Sequence, residues 1–550
     1  MTQQVLAPLD AREIPARATA EADTYDLVFV GAGASTAYVL IALLTSLTET
    51  PAATPLRIGV VERAPDAFSG IAYGGRAART ALLITPLRDF LPTDELRLFT
   101  DWLAENKDWA FDEFLAAEGP VSARWWARHR AAIEENDFDD LFLPRYIFGD
   151  YLVRRTRRAI AAAADAGVAT TEVIQDDVRA IEGGRPDYLL RCGDRVLRAG
   201  RVVLATGSSP VRPRLPAEET EGGALLLDSP FEGMDEAVDR IERFLTRRGA
   251  GEEPPHVVLI GGNASTMDML YQVADIPVVG ERAARFTVLS PRGELPELMD
   301  RPRAGSGFRA ELLQALRDQD TVRAVGIYEA AVGDLARGRA AGYSVADTLK
   351  PISDGVVALL PRLSGEEALA FAGRWGVEIG RHQRRAGWEY CEVVDELVAQ
   401  GRLEAVAGSF ARVDGGSGRG VRVLLDRAGV VAELDRPADV VINCAGPAAQ
   451  LLDTAPSLVA GLISSGVCRA TPYGGGIAVD GALAAAPGFY VMGPLLAGNV
   501  INGSPVWHME HCGRISMYGS SLGLRLAQSL AGEPLSADGR ERVDAVPPSS

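Results

Sequence analysis

The sequence predicts an α/β protein built from two Rossmann-like dinucleotide-binding domains with a mainly helical insertion, and three observations predict it. An apolar run breaks into a glycine turn at Val28-Phe29-Val30-Gly31-Ala32-Gly33-Ala34-Ser35-Thr36. The pattern returns at Val257-Val258-Leu259-Ile260-Gly261-Gly262-Asn263-Ala264-Ser265-Thr266. Two further apolar runs bracket that second fingerprint and also end in glycine: Val202-Val203-Leu204-Ala205-Thr206-Gly207 and Val440-Val441-Ile442-Asn443-Cys444-Ala445-Gly446-Pro447.

In each fingerprint a strand yields to a tight turn and then a helix, so backbone N–H groups and the helix dipole face an anion such as a pyrophosphate. Gly31 and Gly33, with Ala34 and Ser35 opening the helix, form the first cradle. The next strand, Leu56-Arg57-Ile58-Gly59-Val60-Val61, ends in Glu62, with Arg63 after it. A carboxylate there accepts both hydroxyls of an adenosine ribose and repels a phosphorylated one. Glu62, with Arg63 beside it, therefore assigns the first site to FAD.

The second cradle consists of Gly261 and Gly262, Asn263 in place of the usual middle glycine, Ser265, and Thr266 in the last position. Its following strand, Arg285-Phe286-Thr287-Val288-Leu289, ends in Ser290-Pro291-Arg292 with no acid. A hydroxyl and a guanidinium suit the 2′-phosphate of NADPH over NADH. The Gly207 and Gly446 turns suggest where the chain leaves and re-enters the first domain. The FAD domain is then discontinuous, residues 23–210 and 441–531, and residues 250–440 form the NADP domain. This is the layout of a glutathione-reductase-like two-dinucleotide flavoprotein. Residues from about 300 to 395 read as helical, with a capping box at Ser364-Gly365-Glu366-Glu367. Arg374, Arg381, His382, Arg384 and Arg385 read as a solvated basic face, the alternative being a pocket for an anionic substrate. Residues 1–22 and 532–550 read as disordered tails.

Composition narrows the function classes. With 550 residues, 47% hydrophobic and 24% charged, the chain is long enough for two or three packed units. A formal net charge of −18 disfavours nucleic acid as a partner. No apolar run approaches the roughly 20 residues of a membrane span, and no secretory leader opens the chain. The five cysteines (Cys192, Cys391, Cys444, Cys468, Cys512) form no CxxC pair, which fits a reducing cytoplasm and argues against a dithiol-relaying reductase. They have no metal-type spacing, so no metal is expected.

Several motifs resemble the YdhS-like FAD/NAD(P)-binding family. They are Gly70-Ile71-Ala72-Tyr73-Gly74, Thr85-Pro86, Phe99 with Trp102-Leu103, Pro144-Arg145-Tyr146, Phe148-Gly149, Tyr151-Leu152 and Arg381-His382-Gln383-Arg384. Gly475-Gly476-Ile477-Ala478-Val479-Asp480 and Gly488-Phe489-Tyr490-Val491-Met492-Gly493-Pro494-Leu495 complete the resemblance, which spans residues 24–530. Thr85-Pro86 stands where many members carry an asparagine turn, and residues 497–511 depart from the usual ending. The family is distantly similar to flavin-dependent N-hydroxylating monooxygenases acting on ornithine, lysine or aspartate. That resemblance implies reduction of FAD by NADPH, a C4a-hydroperoxyflavin formed with molecular oxygen, and N-hydroxylation of a small polar amino acid in specialised metabolism. An aspartate-like substrate would suit the basic residues.

Position in the sequence nominates the remaining site residues. Gly493 and Pro494, like Thr206 and Gly207, form turns expected to face FAD. Asn499 and Asn502 could each hydrogen-bond the flavin or a substrate. His508 and His511 would share one face if their segment is helical, and Arg145 and Arg88 could pair with an anion or form structural ion pairs. Asn502, His508 and Arg145 are the candidate catalytic residues. An oxidoreductase without oxygen insertion and a non-catalytic flavin-binding regulatory module are the competing functions. Oligomeric state stays open, a homo-oligomer included.

Overall fold

A computed structural model describes residues 23–216, 223–247, 253–299, 303, 307–415, 420–446, 451–454 and 456–531. The two expected tails lie outside the described residues. Alternation of β-branched strands with helices yields two parallel sheets, each covered on both faces. The first sheet has six strands in the order Ala484–Ala486, Phe489–Val491, Val202–Leu204, Leu27–Val30, Leu56–Glu62 and Ala169–Gln175. All but the Ala484–Ala486 edge run parallel. Leu27, Val28 and Phe29 of the central strand are fully buried, as a strand covered on both faces must be.

Helix Ala34–Glu49 continues from this strand and is buried along most of its length. Helix Cys512–Ala531 lies directly against it because two glycines remove the Cβ atoms that would hold the backbones apart. A Cβ at Gly519 would stand 2.8 Å from Tyr38 Cβ, and one at Gly523 only 2.5 Å from the Val39 carbonyl. The two helices run parallel, since Gly519 meets Tyr38 and Gly523 meets Val39 and Ala42.

The second sheet orders Leu403–Ala407, Arg285–Ser290, His256–Ile260, Val440–Asn443 and Leu225–Leu227, all parallel. Here the structure corrects the expected boundary. The strand Val440–Asn443 does not return the chain to the first sheet; it pairs with His256–Ile260 on one side and Leu225–Leu227 on the other. Its likeness to Val202–Leu204 is the likeness of equivalent positions in two separate sheets. The partner that the boundary prediction needed is supplied by Phe489–Val491, beside Val202–Leu204.

Smaller sheets flank these layers: Ser409–Gly415, Val421–Arg427 and Val430–Glu433 in one, and Asp23–Tyr25 with the meander Ala180–Ala199 in another. Helices Glu311–Leu316, Ala324–Ala340, Val345–Leu359, Gly365–Ala370 and Gly376–His382 pack around a core of their own that includes Leu313, Ile327, Ile352 and Phe371. Trp507 reaches into that core from the C-terminal segment, edge-on to Phe371 at 5.4 Å. Ser364 caps its helix through the Glu367 N–H, as the capping motif requires, whereas the Glu367 carboxylate turns away to accept the Ala324 N–H at 2.6 Å.

Candidate active site

The first fingerprint is shaped by one crossing. Gly31 takes φ +96° and its missing Cβ would lie 2.4 Å from the Ala205 carbonyl, so only glycine passes there. Thr36, fully buried, donates to the Gly31 carbonyl at 2.6 Å and fixes the turn from the helix side. Gly33 caps helix Ala34–Glu49 with no side chain, and the nearest atom to its absent Cβ is Gly70 Cα at 3.8 Å. That leaves a cradle open to a phosphate. The Glu62 carboxylate sits at its mouth, accepting the Ala32 N–H at 2.8 Å and the Ala64 N–H at 3.0 Å. Gly493, at φ +77°, crowds Ser35, whose Oγ would lie 2.7 Å from a Cβ there, so the Gly493-Pro494 turn does close on the fingerprint. Gly207 takes φ +78° with open space beside it, Thr206 is exposed, and Arg63 is exposed past Glu62.

The second fingerprint repeats this construction. Gly261, at φ +127°, would put a Cβ 2.8 Å from the Cys444 carbonyl, and Thr266 donates to the Gly261 carbonyl at 2.9 Å. Asn263, the departure from a glycine, caps helix Ala264–Ala274 by accepting the Thr266 N–H at 3.1 Å and ties the turn to the Cys444 carbonyl. Ser265 lies in the first turn of that helix, partly buried. A side chain at Gly262 would strike Ser290 Oγ at 2.9 Å and the Glu294 carbonyl at 2.5 Å. Ser290 Oγ accepts the Gly293 N–H at 3.1 Å, and Arg292 pairs with Glu294 at 3.3 Å.

Strand register equates the two units. Val30 faces Val61 in the first sheet, and Ile260 faces Leu289 in the second. The next residues, Glu62 and Ser290, therefore hold the same position relative to their fingerprints.

The basic stretch is not uniformly a solvated face. Arg374 is exposed, stacked over Trp375 at 4.3 Å, and Arg381 is exposed and bonded to Glu378. Arg384 turns inward and donates to the Gly262 carbonyl at 3.0 Å. Burial, then Arg381 and Arg292 nearby, lower its pKa below the ordinary guanidinium value.

Residues near the C-terminus reassign several candidates. The segment containing His508 and His511 is irregular, and the helix starts only at Cys512, so the two imidazoles are not aligned by a helix. Because helices Cys512–Ala531 and Ala34–Glu49 run parallel with Gly519 beside Tyr38, Cys512 projects roughly 10 Å beyond that crossing, toward the fingerprint side. Arg514, buried in that first turn, donates to the His508 ring at 3.2 Å and to the His508 carbonyl at 3.1 Å. Burial, then Arg514 and His511, push the His508 pKa down to about 3, so its ring is a neutral acceptor. Burial pushes Arg514 down to about 10. The Thr85 hydroxyl is buried with no hydrogen-bond partner among the described residues.

Asn499 is unavailable to a ligand. Its amide donates to the Ile477 and Leu496 carbonyls at 2.8 and 2.9 Å and accepts the Val479 N–H at 2.9 Å. Asn502 is the exposed first residue of a two-residue hairpin turn between Asn499–Ile501 and Ser504–Val506, with φ +49° followed by Gly503 at φ +80°. Two positive φ angles in succession are what an Asn-Gly turn supplies, which gives Asn502 a structural reason for its place. Arg145 is likewise committed, paired with buried Asp268 at 2.5 Å and donating to the Leu82 carbonyl at 2.6 Å. Arg88 pairs with Asp140 and Asp89. The sequence reading did not nominate Arg514; a lone arginine among the small and apolar residues Cys512, Gly513, Ile515 and Ser516 is the signal that marks it.

Residues 28–209 match the FAD-NAD(P)-binding family model. An uncharacterised protein of Mycobacterium tuberculosis is 30% identical over 522 residues, which cover 92% of this chain and 96% of that protein. An uncharacterised protein of Mycobacterium bovis matches to the same extent. Among solved structures, the ornithine N-hydroxylase of Kutzneria sp. 744 is 17% identical over 92% of this chain and 99% of its own, with a TM-score of 0.50. The FAD-bound cadaverine monooxygenase of Erwinia amylovora gives 10%, 93%, 96% and a TM-score of 0.50. The chain shares with them the fold of a flavoprotein with two dinucleotide-binding domains.

Proposed function

The chain belongs to the family of these mycobacterial proteins, and from that premise we propose that it is an FAD- and NADPH-dependent monooxygenase that N-hydroxylates the amine of a small polar amino acid, aspartate being one candidate. The residues fit both coenzymes. Gly31 and Gly493 leave room that any Cβ would fill, Glu62 stands where an adenosine ribose is read, and Gly261 with Asn263 rebuilds the same cradle in the second sheet. When bound, FAD supplies electron transfer from NADPH and the activation of molecular oxygen.

The observation that carries the substrate class is the Arg514–His508 pair at the start of the C-terminal helix. An amine attacks only through a free lone pair, so its site must disfavour the ammonium form. A buried guanidinium beside a neutral imidazole does so: the positive charge repels a second cation, and burial adds to the penalty. The same guanidinium would attract a substrate carboxylate. Trp507, anchored in the helical unit and lying beside His508 and Arg514, would shield this pair from water. The likeness to structures named as ornithine and cadaverine enzymes supports the reading at the level of fold.

The test is NADPH oxidation by the purified flavoprotein, screened over amino acids and amines under labelled oxygen. A substrate that accelerates oxidation and carries ¹⁸O on nitrogen establishes the activity. Oxygen recovered only as peroxide with every amine would leave a flavin oxidoreductase without oxygen insertion. A preparation that binds flavin but oxidises no NADPH with any amine would leave the non-catalytic flavin-binding module. A soluble enzyme working in the cytoplasm completes the proposal.

A further inference from the structure

Glu62 and Ser290 occupy equivalent positions, and what surrounds them differs in sign. In the first unit the Glu62 carboxylate caps the Ala32 N–H next to the glycine crossing. In the second, the residue equivalent to Ala32 is Gly262, and its carbonyl receives Arg384, which arrives from the end of the helical insertion. The insertion is stitched in place there: Glu297 and Leu298 pair in parallel with Arg385 and Ala386, and the Glu297 N–H donates to the Arg384 carbonyl at 3.2 Å. Arg292 adds a second tie by donating to the Arg381 carbonyl at 3.3 Å. Three guanidiniums thus gather around a position from which the carboxylate has been removed.

Two of the three have carboxylates of their own, Arg381 with Glu378 and Arg292 with Glu294. Arg384 has none among the described residues and spends one N–H on a backbone carbonyl, leaving the rest of a five-donor fork. A half-buried guanidinium facing two others is held against repulsion, which a dianion would relieve.

We propose that Arg384, supported by Arg381 and Arg292, receives the 2′-phosphate of the phosphorylated adenine dinucleotide. The proposal rests on the second fingerprint binding such a dinucleotide, and it makes the helical insertion part of the coenzyme site. Ser290 contributes by being uncharged, since its hydroxyl is already taken by the Gly293 N–H.

The test measures calorimetric binding of adenosine 2′,5′-bisphosphate and of 5′-AMP to the FAD-loaded protein. The unsubstituted protein is expected to bind the bisphosphate at least about tenfold more tightly. Arg384→Ala should erase most of that preference while leaving 5′-AMP within about twofold, and Arg384→Lys should restore part of it, a point charge replacing a fork. Arg381→Ala, at an exposed residue, should narrow the preference about threefold without shifting the melting temperature, so a fold defect in the Arg384 variants does not decide the outcome. An equal loss of both nucleotides in Arg384→Ala, or an unchanged preference, overturns the proposal. If the unsubstituted protein binds both nucleotides alike, the proposal fails and the dinucleotide site stands. If it binds neither and also ignores NADPH, the reading of the second fingerprint falls with it.

Discussion

Arg145 and Asp268 form a buried ion pair, Nη2 to Oδ2 at 2.5 Å, between the helix Arg145–Asp165 of the first unit and the helix that follows the second fingerprint. Burial raises the Asp268 carboxyl above its ordinary pKa against the pull of Arg145, and its second oxygen has no hydrogen-bond partner among the described residues. Around this pair Tyr390 donates to the Leu82 carbonyl at 2.9 Å and Thr80 to Gln272 at 2.7 Å. Removing one charge strands the other in a dry interface. Asp268→Ala is therefore expected to cost about 3–5 kcal/mol, while Arg145→Met combined with Asp268→Leu recovers most of it. Denaturant midpoints of the three proteins measure this; a single variant as stable as the parent would mean that the pair is solvated.

The glycine crossings predict separable coenzyme losses. Gly31→Ala forces a Cβ to 2.4 Å from the Ala205 carbonyl at φ +96°, so the first cradle cannot close and the protein should purify without visible flavin absorbance. Gly261→Ala meets the Cys444 carbonyl at 2.8 Å, and should keep its flavin while NADPH reduces it at least about tenfold more slowly. Gly33→Ala discriminates a ligand effect from a folding one. Its φ is −88° and its surroundings are open, so the apoprotein should melt normally yet bind FAD poorly. Retention of flavin by Gly31→Ala would contradict the geometry.

The sequence disclosed those crossings well because a strand, a glycine turn and a helix form a local code, read within about ten residues. It disclosed the domain boundary poorly for a related reason. Val440–Asn443 and Val202–Leu204 have the same local code, and only pairing decides that one lies beside His256–Ile260 and the other beside Leu27–Val30. Arg384 and Arg514 depend on contacts across 122 residues and on a buried helix start. Neither leaves a periodic trace. For Asn502 the local signal is plain, since Asn502-Gly503 between short apolar runs spells a hairpin turn.

Asn499 and Asn502 should respond oppositely to substitution. Asn499→Ala leaves the Ile477 and Leu496 carbonyls and the Val479 N–H without their partner, two of these bonds being fully buried, at a cost of about 1–3 kcal/mol for each group that water cannot reach. Asn502→Gly keeps the positive φ and should change stability by no more than about 0.5 kcal/mol, whereas Asn502→Val, strained at φ +49°, should cost more than about 1 kcal/mol. Turnover with the cognate amine should survive Asn502→Gly. A large loss of kcat at unchanged stability would restore Asn502 to the reaction.

His508 sets a pH dependence whose direction follows from its burial. Its folded-state pKa, about 3, lies below the ordinary 6.5 because burial and the neighbouring Arg514 and His511 oppose a further positive charge. Burial also lowers His511, and its proximity to Asp89 offsets only part of that. The unfolded chain consequently takes up these protons first. The stabilisation from a neutral His508 is complete above about pH 6.5 and is lost as pH falls from there toward about 3. Across that window one proton changes the slope of unfolding free energy by at most about 1.4 kcal/mol per pH unit. His508→Asn, which cannot protonate, should lower overall stability through lost packing but flatten the decline between pH 6.5 and pH 5 by nearly one proton. Denaturant titrations of both proteins at several pH values across that interval give the slopes directly. Parallel slopes would show that the His508 ring already exchanges protons with solvent in the folded state, and the neutral, amine-deprotonating environment proposed around Arg514 would go with it.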